Sequence, residues 1–128
     1  MSTLPIGTVT FLYTDIEGST LLWEQQPAAM TAAIARHDAI LRAAIDDNGG
    51  QVFRTAGDAF CAAFAMAAPA VAAAASAQQA LFAEGWPLDR PLRVRCALHT
   101  AEAMPRDGDY FSIGLNRLGR LLSVCHGG

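Results

Sequence analysis

The sequence predicts an α+β domain: a ferredoxin-like (palm-type) antiparallel sheet with helices packed on it. Three observations carry that expectation. Short β-branched or alternating runs are interleaved with longer runs of helical periodicity. They come in the order strand, two helices, hairpin, helix, strand, helix. The apolar share, 52% against 16% charged, is enough over 128 residues to bury a core, so residues 1–128 read as a single domain.

Gly7 to Thr14 (GTVTFLYT) is short, β-branched and aromatic, and suits a buried strand. It runs into the loop Asp15-Ile16-Glu17-Gly18-Ser19-Thr20, where Ser19 or Thr20 can cap a first helix. A second helix starts near Pro27, with Met30, Ile34, His37, Leu41 and Ile45 on its core face, and stops at Asn48-Gly49-Gly50. A hairpin follows: Gln51 to Arg54 enters, Thr55-Ala56-Gly57 turns, and Asp58 to Phe64 returns. An Ala-rich helix then runs to about Gly85. Leu92, Val94, Cys96 and Leu98 alternate with Arg93, Arg95, Ala97 and His99, a half-exposed strand. Arg106 to Asp109 reads as a turn, and Ile113, Leu115, Leu118, Leu121 and Leu122 mark a last helix from Ser112 to Val124. In the ferredoxin-like plan these helices cover one face of the sheet.

Composition narrows the function. A net charge of -3 argues against a nucleic-acid partner, which calls for a basic face. A phosphate-bearing substrate would then need metal ions to neutralise it. Cys61, Cys96 and Cys125 are odd in number and lie in apolar stretches, which fits buried thiols in a reducing cytoplasm. The start, MSTLPIGTV, lacks the features of a signal peptide. The Ala67 to Ala83 run contains Pro69, Ser76, Gln78 and Gln79 and too few large side chains for a bilayer, so no membrane segment is expected.

Chemistry centres on two carboxylates. Asp15 lies at the mouth of the first strand, and Asp58 follows a glycine turn at the start of a hairpin strand. In a ferredoxin-like sheet the first strand is central and the hairpin strand can lie beside it. The carboxylates would then meet and repel unless cations bridge them. Oxygen ligands suit Mg²⁺ or Mn²⁺. The backbone amides of Glu17, Gly18, Ser19 and Thr20 would face phosphates. Taken singly, Asp15 could equally be a helix cap and Asp58 a turn residue.

Four segments settle the choice by resemblance. Phe11 to Thr20 (FLYTDIEGST) closely resembles the first metal motif of bacterial class III adenylate/guanylate cyclases, and Arg54 to Phe60 (RTAGDAF) resembles the second. Leu98-His99-Thr100 resembles the strand that follows, and Asp109-Tyr110-Phe111 with Asn116 to Leu121 (NRLGRL) resembles the nucleotide-handling segment. They occur in family order from Gly7 to Gly128. The resemblance implies the class III nucleotide cyclase fold and an enzyme that converts ATP, or alternatively GTP, to a cyclic nucleotide in a signalling role. It implies two Mg²⁺ or Mn²⁺ ions on Asp15, Asp58 and the Ile16 carbonyl. It further implies Arg54 and Asp109 at the purine, and Asn116 and Arg120 as catalytic groups supplied by the second chain of a homodimer.

Three departures from the family pattern stand out. Arg54 replaces the usual lysine, a larger and planar cation. Ser112-Ile113-Gly114, Leu118 and Gly119 alter the run around Asn116. Family members continue beyond Gly128, so the C-terminal part of the family fold is expected to be missing. These departures keep two alternatives in view: a degenerate cyclase domain that binds nucleotide or only dimerises, and a diguanylate-cyclase-like enzyme, which lacks support at Ala56 and Ala59. The remaining polar and aromatic residues have structural readings. His37 and His99 belong to the packing, Trp23 and Trp86 anchor it, and Met66 and Met104 fill it. Arg93 and Arg95 line a solvated strand face, with a minor chance of touching phosphates.

Overall fold

The computed structural model describes residues 4–110 and 113–128. The elements are β1 (Gly7–Ile16), α1 (Ser19–Gln25), α2 (Pro27–Asp47), β2 (Gln51–Ala56), β3 (Ala59–Phe64), α3 (Ala67–Ala83), β4 (Val94–Ala103), β5 (Pro105–Arg106), β6 (Asp109–Tyr110) and α4 (Ile113–Ser123). The main sheet has the order β2-β3-β1-β4, and β1 pairs antiparallel with both β3 and β4. This is the ferredoxin-like arrangement, with β1 central and the hairpin strand β3 beside it.

Both faces of the sheet are covered, which is why β1 is buried continuously from Val9 to Tyr13 rather than on alternate residues. Leu12 and Ile16 join Phe60, Ala62, Phe64 and Val94 beneath α2 and α3. Helix α2 contributes Met30, Ala33, Leu41 and Ile45; α3 contributes the small-residue stripe Ala70, Ala73 and Ala77. Val9, Phe11 and Tyr13 point the other way, with Cys61, Ala63 and Ala97, onto Tyr110 and the α4 leucines Leu115, Leu118 and Leu122. The helices therefore do not share one face, as the ferredoxin-like plan suggested. The α4 leucines form an apolar stripe that needs its own partner, and the second apolar face of β1 supplies it.

Local details differ from the sequence reading in instructive ways. Strand β1 runs through Asp15 to Ile16, because β4 pairs with it that far. Helix α1 is capped by Gly18, in the left-handed region at φ 67°, with no side-chain cap from Ser19 or Thr20. The hairpin pairs Ala56 with Ala59, so its turn is Gly57-Asp58 and Asp58 lies in the turn rather than in the strand. Strand β4 begins at Val94 rather than Leu92, and a small hairpin, β5–β6, follows it. The stop after α2 is as expected: the Gly50 amide donates to the Ile45 carbonyl at 2.9 Å, and Gly49 has φ 75°.

Trp23, Met66, Met104 and Leu121 are exposed and so are not packing residues. Trp86 is, half-buried with its Nε1 donating to the Leu81 carbonyl at 3.0 Å. His37 is fully buried, edge-on to Phe60, with Nδ1 2.8 Å from Asp38 and no partner for Nε2 among the described residues. All three cysteines are free, but only Cys61 is fully buried. Ser112, in the altered run before Asn116, and Phe111 lie outside the described residues. No described helix is long and apolar enough to cross a membrane.

Candidate active site

Asp15 and Asp58 both lie near the end of β1. Asp15 and Ile16 end that strand, and the Gly57-Asp58 turn brings Asp58 against them from the β3 side. The Ile16 amide donates to Asp58 Oδ1 at 3.3 Å, so Asp58 is tied to the residue next to Asp15. The adjacency anticipated for the strands holds, with Asp58 bonded to the backbone of Ile16 and the Asp15 carboxylate turned to β4.

Asp15 also has a partner on its other side. Strand β4 places Arg95 directly opposite Asp15 in the antiparallel register. The guanidinium forks both carboxylate oxygens, with Nε donating to Oδ1 at 2.6 Å and Nη2 to Oδ2 at 2.5 Å. Both side chains are about four-fifths buried, at 20% and 24% exposure. The bond to Asp15 raises the Arg95 pKa and so keeps the guanidinium charged. Arg95 is therefore not on a freely solvated strand face. The available sequence signal was parity: Asp15 continues the face of Phe11 and Tyr13, and Arg95 that of Ala97.

A second ion pair sits on the same face. A register shift between Val52 and Arg54 makes Phe53 the extra residue of a β-bulge, so that Arg54 opposes Cys61. Without the bulge, simple alternation after Val52 would turn Arg54 towards α2 and α3. Arg54 instead reaches Asp109 on β6, with Nη2 to Oδ1 at 2.8 Å and Nε to Oδ2 at 3.2 Å. Its Nη2 also donates to the Tyr110 carbonyl at 3.1 Å, and its guanidinium lies 5.7 Å from the Phe53 ring centre.

Burial alone would raise the Asp109 pKa. The hydrogen bonds from Arg54 and from the Tyr110 amide, together with the Arg54 charge, outweigh it and hold the carboxyl below its usual range. Phe11, Phe53 and Tyr110 meet edge to face beneath the pair, with ring centres 4.9 to 5.8 Å apart. Burial is also the main reason that the Tyr110 hydroxyl is pushed up to about 12 and the Tyr13 hydroxyl higher still.

The other predicted residues stand apart. Asn116 and Arg120 are exposed on α4, four residues apart, on the side away from Leu115, Leu118 and Leu122. In the loop before α1, the Glu17 amide donates to the Arg93 carbonyl at 2.8 Å, so it is already engaged. Arg90 Nη2 approaches the Gly18 carbonyl at 3.4 Å.

The groups around Ile16 fit a hard divalent cation. The candidate donors are all oxygen, and the Asp15 carboxylate already accepts a cation in the form of Arg95. Among the described residues no three His, Cys, Asp or Glu side chains cluster as a metal site, here or elsewhere.

Comparison with known proteins gives the family and the fold. The family described as adenylate and guanylate cyclase catalytic domain matches residues 1–83. That span includes Asp15, Arg54 and Asp58 but ends ahead of Arg95, Asp109, Asn116 and Arg120. An uncharacterized protein of Mycobacterium tuberculosis is 42% identical over 126 residues, covering 97% of this chain and 42% of that protein. The chain thus spans well under half the length of the first curated relatives. The adenylate cyclase of Schizosaccharomyces pombe is 32% identical over 149 residues, 97% of this chain and 9% of that enzyme.

Among solved structures, a Trypanosoma brucei adenylate cyclase in its monomeric state superposes with TM-score 0.89 at 26% identity, covering 98% of this chain and 72% of that one. An adenylate/guanylate cyclase/hydrolase from Silicibacter pomeroyi gives 0.79 at 25% identity, with 94% and 71% covered. With the fold and the family match in agreement, the chain belongs to the adenylate and guanylate cyclase catalytic domain family.

Proposed function

We propose that this domain is a nucleotide cyclase that converts ATP to 3′,5′-cyclic AMP and pyrophosphate, working as a cytoplasmic homodimer. The observation that supports this reading is the bond from the Ile16 amide to Asp58, one residue from Asp15 at the end of the central strand. Asp15, Asp58 and the Ile16 carbonyl would hold two Mg²⁺ or Mn²⁺ ions. When bound, these would lower the pKa of the ribose 3′-hydroxyl and offset phosphate charge.

The reaction forms a bond between the 3′-oxygen and the α-phosphorus and breaks the bond to the β-phosphate oxygen. Pyrophosphate leaves, and the hydroxyl proton passes to solvent. The amides of Gly18, Ser19 and Thr20 would face the phosphates, while that of Glu17 stays with Arg93. Asp109 would accept a hydrogen bond from the adenine amino group, with Arg54 directed at the ring. Asn116 of a second chain would orient the ribose, and Arg120 would stabilise charge on the transferring phosphorus through its fork of donors. Exposure of both on α4 supports their presentation to another copy.

A guanylate cyclase is the nearest alternative, because Arg54 already occupies both oxygens of Asp109. The same closed pair is what a nucleotide-binding or dimerising regulatory module would tolerate. One assay separates these readings: purified protein with ATP or GTP and Mn²⁺ or Mg²⁺, with the product identified by mass. Cyclic AMP as the main product supports the proposal. Cyclic GTP-derived product alone, or none under any condition, refutes it.

A further inference from the structure

We infer that Arg95 is the resident counter-cation of the metal-free site, and that a divalent metal reaches Asp15 only by displacing the Arg95 guanidinium. The inference rests on the reading of Asp15 as a metal ligand and adds an occupant to that site. Three features point to it. Asp15 and Arg95 are directly opposed on β1 and β4, so the backbone register itself holds the two side chains within reach. The contact is a two-bond fork that takes both carboxylate oxygens, at 2.6 and 2.5 Å. It is also mostly shielded from solvent, at 24% and 20% exposure, so water does not screen it as it would a surface pair.

These features follow from where Asp58 sits. Asp58 is tethered to the Ile16 amide, one residue from Asp15. Two negative charges thus lie near the end of one buried strand, which a nearby cation stabilises. Arg95 supplies that cation at Asp15. A doubly charged ion placed on the same carboxylate would in turn repel the guanidinium, so the two cations exclude one another. The exchange gives Asp15 a cationic partner in both states. It also makes Arg95 a positioning residue, one that holds the Asp15 rotamer before the metal arrives.

The test is metal binding without nucleotide or turnover. Isothermal titration with Mn²⁺ compares the native protein with Arg95→Gln, which keeps a polar side chain but removes the competing charge. The displaced fork is made of charge-assisted bonds, so Arg95→Gln should bind Mn²⁺ roughly tenfold or more tightly. Arg95→Lys, with charge but no fork, should fall between the two.

A second measurement needs no variant. The Arg95 Nε–H signal in ¹⁵N NMR should be protected in the metal-free protein and should shift and lose protection as Mg²⁺ saturates the site. Mn²⁺ binding by the native protein that Arg95→Gln leaves equal or weaker overturns the exchange alone, as does an Arg95 signal that ignores saturating Mg²⁺. Absence of Mn²⁺ binding in native and variant proteins alike overturns the exchange together with the metal reading.

Discussion

The Arg54–Asp109 pair can be tested by a double-mutant cycle whose magnitude follows from its geometry. Arg54 is 37% exposed and Asp109 27%, between a buried pair and a surface one. Shielded hydrogen bonds to charged groups contribute about 1.5–3 kcal/mol, and exposed ion pairs about 0.2–1. Two bonds to the carboxylate at 2.8 and 3.2 Å, discounted for that exposure, predict a coupling of about 1–1.5 kcal/mol. The cycle uses Arg54→Met, Asp109→Asn and the double variant, each unfolded in urea.

The pH dependence has a definite sign. The folded Asp109 pKa lies below its unfolded value, so the coupling is fully present above about pH 4 and lost as pH falls through the folded value. A coupling under about 0.3 kcal/mol at pH 7, or one that does not shrink in acid, would refute the ion-pair account. The same pair bears on base selection. Arg54→Lys replaces the fork by a single point of charge and releases part of Asp109 for a purine amino group. One such bond, about 1.4 kcal/mol, should raise the ATP-to-GTP ratio of kcat/KM about tenfold.

Four further outcomes follow from particular contacts. Asp15→Ala or Asp58→Ala should abolish cyclic nucleotide formation while far-UV circular dichroism stays native, because each carboxylate lies at the edge of the core; near-native activity in either would remove the two-metal assignment. A mixture of Asp58→Ala and Arg120→Ala chains, each inactive alone, should recover activity, since a mixed dimer keeps one intact composite site; heterodimers that stay inactive would exclude shared sites. Gly50→Ala places a Cβ 2.4 Å from the buried Phe64 ring, and denaturation should show a loss of about 1–3 kcal/mol. Burial, above all, pushes the Cys96 thiol up to about 11, so mass spectrometry after alkylation at pH 8 should find Cys96 largely unmodified in the folded protein.

What the sequence made legible was periodicity and motif; what it hid was pairing. The 3.6-residue stripe of Met30, His37, Leu41 and Ile45 located α2, and the strand order followed from the succession of elements. Asp15 and Asp58 were visible because each lies beside a recognisable run of neighbours, and the place of β3 beside β1 followed from the fold plan. Arg95 was not legible, because the register of β4 on β1 decides which of Arg93 and Arg95 meets Asp15, and register is a long-range property. The Phe53 bulge escaped for the same reason: a residue that breaks alternation looks ordinary until its partner strand is known. The α4 stripe was legible at Leu115, Leu118 and Leu122, but its face was not, since nothing local says on which side of a sheet a helix will dock.

That docking decides how the exposed pair on α4 can act. An α-helix turns about 100° per residue. Leu115, Leu118 and Leu122 then cluster within about 60° of one another, and they face the sheet. Asn116 and Arg120 fall within about 40° of one another and roughly 140° from the middle of that cluster. Both are exposed, as this rotation requires. Turning either one towards the sheet would require rotating α4, which would pull three leucines out of the core. Burying a leucine contributes roughly 1.5–3 kcal/mol, so that rotation would cost several kcal/mol and gain no compensating contact. The proposed action of Asn116 and Arg120 on a nucleotide held at Asp15 and Asp58 is thus directed at the acids of another copy. Under the proposed roles of Asn116 and Arg120 the helix face favours a shared site, and a monomer kept below its association range should bind metal yet turn over no substrate.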